Sequence, residues 1–436
     1  MLFPKPDIFK TTIIVLLMTA TSRLAFGAAG DGSPGDTNIK YFGRWDRSNA
    51  SAFHGYWGGA YLKTIFTGTT IKVNLGNTLK YHVKIDDKPW VTFVAVNGTN
   101  NLAPTPLAQG THTLIIAQGQ DYSYDFAFKG ISLDPGATTS TPSVRADLIE
   151  WIGDSITDGY TDTRSDVSDY AWICAESLNS EHTQIAFPGI ALVDGYGVNN
   201  NKTGMGTQYF KLQDLNYGAS VNWDFSNYTA KIVVVNIGTN DGNTPNDLYQ
   251  STYIAFLGNI RTKFPAAHIV VLVPNGGAHR AQDSAAYQAR VAAGDKNVHY
   301  INTTGWLKGV EMNDGAHPSD SGHVKLAGLL KPLLYGYLTP AAPVITPDKG
   351  NNRRIASSAV VPANNLQMEI LRLDGSVVEH RTKWRTGISS LPTGIYLVRT
   401  FNENGTVRNN RVSLLQHKGS GNGVFPVCCP DDVAAP

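Results

Sequence analysis

The chain has 436 residues, more than one compact domain usually holds, and 42% of them are hydrophobic against only 16% charged. That is enough apolar matter for real cores and too little charge for a disordered chain or a coiled coil. Lys and Arg number 36 and Asp and Glu 35, a formal charge of +1, so no long-range field gathers polyanions and nucleic acid is not an expected partner.

Lys5 and Lys10 precede the apolar run Thr11 to Ala20, and small residues follow at Ala25, Gly27, Ala28 and Ala29. This is the layout of a secretory signal peptide, expected over residues 1–28; an uncleaved anchor is the alternative, although the run is short for a bilayer. No other segment approaches transmembrane length. The mature chain is therefore expected to be secreted or extracellular, free or attached to the cell surface, without a membrane span.

Residues 37–136 read as short strands. Ile71, Val73 and Leu75 alternate with polar residues, as do Tyr81, Val83 and Ile85, and the turn pairs Gly76-Asn77 and Asn97-Gly98 fall between runs. No helix pattern interrupts them, which predicts an all-β sandwich or jelly roll. A polar connector follows at 137–145, and the pattern then changes.

Over 146–338, apolar runs at Leu148 to Ile152, Ile232 to Ile237 and Ile269 to Val273 alternate with helical spacing at Ala171 to Ser180, Asp247 to Phe264 and Gly322 to Leu330. Buried runs separated by helices predict an α/β domain of three layers around a parallel sheet, with ligand chemistry at the carboxyl ends of its strands. A second connector at 339–353 carries Pro340, Pro343 and Pro347. Strand-like runs at Gln367 to Leu373, Gly394 to Phe401 and Val407 to Leu415 then predict a small β module over 354–416, with Asn404-Gly405 as a hairpin turn. The last stretch, 417–436, shows no pattern and is expected to be disordered. Three cysteines make neither a disulfide framework nor a four-ligand zinc site, and Cys174, Cys428 and Cys429 receive no role.

Gly153-Asp154-Ser155-Ile156-Thr157 directly follows the first apolar run of the α/β region. A serine on the turn leaving a strand presents its hydroxyl at the sheet edge, and the amides that open the next helix point at any developing negative charge; alone, it can equally be an N-cap. Asn236-Ile237-Gly238-Thr239-Asn240-Asp241 follows a second run and can donate a side-chain amide to the same edge, or simply turn. In Asp314-Gly315-Ala316-His317, a carboxylate three residues before a histidine can hold Nδ1–H and leave Nε2 for a serine proton. Phe187-Pro188-Gly189-Ile190 places a glycine where backbone could approach a substrate. His323 competes with His317 as a base, but its place at a predicted helix start favours a structural role. No Gly-x-Ser-x-Gly elbow occurs.

The order and wording of these four blocks resemble the SGNH (GDSL-type) hydrolases, a family of serine esterases. The resemblance covers about Asp147 to Tyr337 and implies Ser155 as nucleophile, His317 and Asp314 as the rest of the triad, and the Ser155 amide, Gly189 and Asn240 as the oxyanion hole. The first block reads Gly-Asp-Ser-Ile rather than Gly-Asp-Ser-Leu. Gly43-Arg44, Trp57-Gly58-Gly59-Ala60-Tyr61 and Phe66-Thr67-Gly68-Thr69 resemble the amino-terminal jelly roll of carbohydrate esterase family 2. That resemblance implies removal of acetyl groups from plant cell-wall polysaccharide such as xylan or glucomannan, without metal or organic cofactor. Alternatives are a lipid or small-ester hydrolase, and a glycan-binding protein with an inactive esterase domain. Leu371-Arg372-Leu373-Asp374-Gly375 and Leu391-Pro392-Thr393-Gly394-Ile395-Tyr396 resemble the sorting domains of type IX secretion, which implies secretion machinery as a partner; a plain accessory module is the alternative.

Overall fold

The computed structural model describes residues 30–119, 125–198, 202–219 and 221–338, together with five strands between residues 367 and 428. The expected signal peptide (1–28) and second connector (339–353) lie outside the described residues. The chain divides into two units, Met1–Pro340 and Ala341–Pro436.

The first unit opens with two antiparallel sheets. One runs Lys40–Phe42, Tyr61–Gly68, Gly110–Gln118, Leu79–Ile85, Val91–Ala95, and the other Trp45–Asp46, Phe53–Gly55, Phe126–Leu133, Ile71–Leu75, Gly98–Asn101. The period-2 patterns face inward as expected, with Ile71, Val73 and Leu75 all fully buried between the sheets beside Phe66, Leu114 and Phe128. Thr139–Ser140, inside the expected connector, pairs with Tyr61–Gly68, and Thr139 donates its hydroxyl to buried Asp36 at 2.6 Å.

Five parallel strands follow: β1 (Leu148–Gly153), β2 (Glu181–Ala186), β3 (Ile232–Asn236), β4 (His268–Val273) and β5 (Val298–Asn302), in the order β2-β1-β3-β4-β5. Helices α1 (Ser155–Asp158), α2 (Tyr170–Ser177), α3 (Met205–Gln208), α4 (Asn246–Lys263), α5 (Arg280–Ala292) and α6 (Asp320–Tyr335) connect and cover them. Ile149, Trp151, Val234 and Val270 pack with α2 and α6 on one face, while Ile152, Val233 and Val235 pack with α4 on the other. These are the three expected layers. In α4 the buried positions Tyr249, Tyr253, Phe256, Leu257 and Ile260 recur at helical spacing, which is why this element was legible.

Strands β2 and β5 and helix α5 were not among the expected elements. All six residues of β2 are buried, yet its first four, Glu181, His182, Thr183 and Gln184, are polar. The strand is hidden because the front domain lies on it: Tyr61 Oη and Lys63 Nζ donate to the Glu181 carboxylate at 2.7 and 2.8 Å. Arg44 enters the α/β domain, fully buried, and donates to the carbonyls of Tyr209 and Lys211 under the rings of Tyr209 and Phe225.

In the second unit, Val377–Arg381, Gln367–Leu371, Gly394–Phe401, Val407–Leu415 and Phe425–Cys428 form an antiparallel sheet in that order. The last strand falls within 417–436, where no regular element was expected; Phe425 and Val427 have high strand propensity, but four residues are too few for a periodic signal.

Candidate active site

The strand order reverses at β1, with β2 on one side and β3 on the other, so the turns after these three strands converge on one crevice at the carboxyl edge. Strand β1 ends at Gly153, where an added Cβ would collide with Thr157 Oγ1 and the Asn236 carbonyl; only glycine lets the chain turn this sharply here. Asp154 caps α1 by accepting from the Ile156 amide at 3.0 Å. Burial, the largest influence, raises its pKa to about 6. Ser155 is then the first helical residue and only 5% exposed.

His317 arrives from the loop between β5 and α6. Its Nε2 lies 2.9 Å from Ser155 Oγ, and its Nδ1 lies 2.8 Å from Asp314 Oδ2. The other Asp314 oxygen accepts from the amides of Ala316 and His317 at 2.7 Å each, so the carboxylate both builds the loop and orients the ring. The bond from His317 leads the influences that hold Asp314 low, at about 2. With Nδ1–H given to an ionised carboxylate, Nε2 is the acceptor for the serine proton.

Gly189, after β2, has φ +81°, a left-handed conformation that suits glycine. Asn240, after β3, donates its side-chain amide to the Ile190 carbonyl at 2.9 Å, joining the two turns. Two residues that spacing did not single out hold this pair. The buried Asp241 carboxylate accepts from the amides of Leu192 (2.7 Å) and Val193 (3.2 Å), and His279 Nε2 donates to the Asp241 carbonyl at 2.8 Å while its ring stacks on Tyr249. The Asn-Asp pair ending the third block was the available signal for Asp241; none in the sequence pointed to His279.

His323 is set apart from this chemistry. Its Nδ1 accepts from the Tyr170 amide at 3.0 Å and its Nε2 faces Asp162 at 3.3 Å. With Nδ1 occupied as an acceptor the ring stays neutral, and burial holds its pKa down at about 3. Among the described residues, no group of three His, Cys, Asp or Glu side chains could hold a metal ion.

Residues 151–325 match the GDSL-like Lipase/Acylhydrolase family, and residues 41–142 match the Carbohydrate esterase 2 N-terminal family. The chain is 29% identical over 255 residues to the cellulase/esterase CelE of Acetivibrio thermocellus, covering 54% of this chain and 31% of that protein. It is 24% identical over 324 residues to the acetylxylan esterase / glucomannan deacetylase of Cellvibrio japonicus, covering 69% of this chain and 88% of that one. The chain thus spans about a third of the first relative's length and most of the second's. A family two carbohydrate esterase from Clostridium thermocellum, solved in complex with cellohexaose, superposes with a TM-score of 0.62 at 26% identity, over 69% of this chain and all of that one. A GDSL-type hydrolase domain behind a carbohydrate esterase 2 front domain matches carbohydrate esterase family 2, and these relatives support an esterase.

Proposed function

We propose that the protein is a secreted carbohydrate O-acetylesterase acting on acetylated plant cell-wall polysaccharide of the xylan or glucomannan type. The carrying observation is the contact chain Ser155–His317–Asp314, with bonds of 2.9 and 2.8 Å, at the switch point of the parallel sheet. Ser155 Oγ attacks the acetyl carbonyl as His317 Nε2 takes its proton. The negative charge that develops on the carbonyl oxygen is met by the Ser155 amide, Gly189 and Asn240. His317 returns the proton to the departing sugar oxygen, and water, activated by the same ring, releases acetate. Asp314 keeps the ring in the one tautomer that works.

The polysaccharide part of the reading draws on the front-domain match and on the names of the relatives, one a glucomannan deacetylase. Export draws on the signal-peptide layout of residues 1–28, and the type IX wording of the carboxyl module would supply the route. Acetate release from acetylated xylan, glucomannan and pectin tests the substrate class. Release from xylan or glucomannan, abolished in Ser155→Ala, is the expected result; turnover of p-nitrophenyl acetate alone would sink the polysaccharide reading.

A further inference from the structure

Tyr160 is a large side chain left 39% exposed, with its ring centroid 5.1 Å from that of His317 at an interplanar angle of 57°. A single exposed aromatic is ordinary on a protein surface, but this one stands beside the catalytic base, where a bound substrate would reach it. Its backbone is also tied down. Gly159, at φ +75°, ends α1, and the Tyr160 amide turns back to donate to the carbonyl of Ser155 itself at 2.9 Å. The next residue, Thr161, has φ +77°, a conformation that β-branched residues rarely adopt. Asn313, directly before the triad's Asp314, clamps it by donating its side-chain amide to Thr161 Oγ1 (2.9 Å) and to the Thr161 carbonyl (3.2 Å). The nucleophile turn and the base loop therefore fix the backbone that carries this ring.

We propose that Tyr160 is the stacking platform for the sugar ring that carries the acetyl group, a specificity-determining residue for the reaction proposed above. This role rests on that reading and follows from the proton's path. The departing sugar oxygen must come within hydrogen-bond reach of His317 Nε2 to be protonated, so the pyranose bearing it sits just outside the imidazole, where Tyr160 stands. A pyranose presents a face of C–H groups, slightly positive and apolar, which suits the negative face of an aromatic ring. The ring supplies flat area at little entropic cost, because its loop is already fixed. A small alkyl acetate has no such face and gains nothing from the platform.

The test compares an acetylated xylooligosaccharide with ethyl acetate on the full chain, in wild type, Tyr160→Phe, Tyr160→Leu and Tyr160→Ala. The expected ratio of kcat/KM, saccharide over ethyl acetate, falls roughly tenfold in the Ala and Leu variants, mainly through KM, and stays within about twofold in the Phe variant. The bulk of the leucine side chain keeps the loop filled, so a folding defect confined to the Ala variant does not obscure the outcome. An unchanged ratio in both Ala and Leu variants overturns the platform, as does a Phe variant that loses as much as Ala. A wild type that cleaves ethyl acetate but no acetylated saccharide sinks the carbohydrate reading, and the platform falls with it.

Discussion

Asp314 and His317 share one short loop but not one burden. In the proposed mechanism the histidine exchanges a proton twice per turnover, whereas the carboxylate orients it and offsets its charge. The Asp314 side chain is 49% exposed, so water can partly take over that electrostatic role once the charge is removed. We expect His317→Ala to lose on the order of 10⁴-fold or more in kcat, and Asp314→Asn to lose less while keeping measurable turnover. Asp314 is held at about 2, so it stays ionised through the working range. For the oxyanion side, Asn240→Ala should cost about 10²- to 10³-fold in kcat, and a change confined to KM would make Asn240 a substrate contact instead. As candidates, Ser155 and Asn240 were legible in the sequence because each follows a buried run, Asp314 and His317 because their spacing suits a carboxylate–imidazole pair, and four such words in order are specific together. Asp241 and His279 were not, since their work is to hold backbone groups of turns far away in sequence, which no spacing encodes.

Strand β2 shows why an element can be invisible in its own text. A strand is read from apolar periodicity, and Glu181-His182-Thr183-Gln184 has none. Its burial comes from the front domain, whose polar groups answer its own: Tyr61 and Lys63 for Glu181, and the tight turn at Gly59, where a Cβ would collide with Gln184 Oε1. The Arg145 amide adds a third bond to Glu181 at 3.1 Å. Glu181→Ala should therefore destabilise the first unit by roughly 2–4 kcal/mol, because it strands the partly buried Lys63 ammonium and the buried Tyr61 hydroxyl. Glu181→Gln, which keeps an acceptor for Tyr61, should cost less. Denaturant titration measures both, and a loss below about 0.5 kcal/mol for the Ala variant, the size of an ordinary surface change, would show that the contact is solvated. Strand β5, mixed in composition and with Val298 its one buried residue, escaped for a related reason: it has neither an apolar run nor a clean alternation.

At the scale of the molecule, two of the three words by which the front domain resembles a carbohydrate esterase jelly roll prove to be docking words, while Phe66 of the third packs in the front domain's own core. Arg44, Trp57, Gly59 and Tyr61 all meet the α/β domain, with Trp57 Nε1 donating to the Leu212 carbonyl at 3.0 Å. The two folds share an interior rather than meeting at a hinge, which the polar connector between them concealed. His182 lies in that seam, fully buried, its ring stacked with Tyr61 at 5.0 Å and edge-on to Trp172 at 4.4 Å. Neither ring nitrogen has a hydrogen-bond partner among the described residues, and burial, which outweighs the pull of the Glu176 and Glu181 carboxylates, lowers its pKa to about 4. The unfolded chain takes up this proton near pH 6.5 and the folded chain only near 4, so the stability it contributes is complete above about 6.5 and is lost as pH falls toward 4. His182→Leu removes the titration while keeping a similar volume. Whatever its cost at pH 7, the variant should gain on wild type by about 2–3 kcal/mol as the pH is lowered to about 4, read as converging or crossing thermal midpoints in parallel melts. A stability difference that stays constant across that range would show that His182 accepts its proton within the folded seam, and that the two domains open there to water.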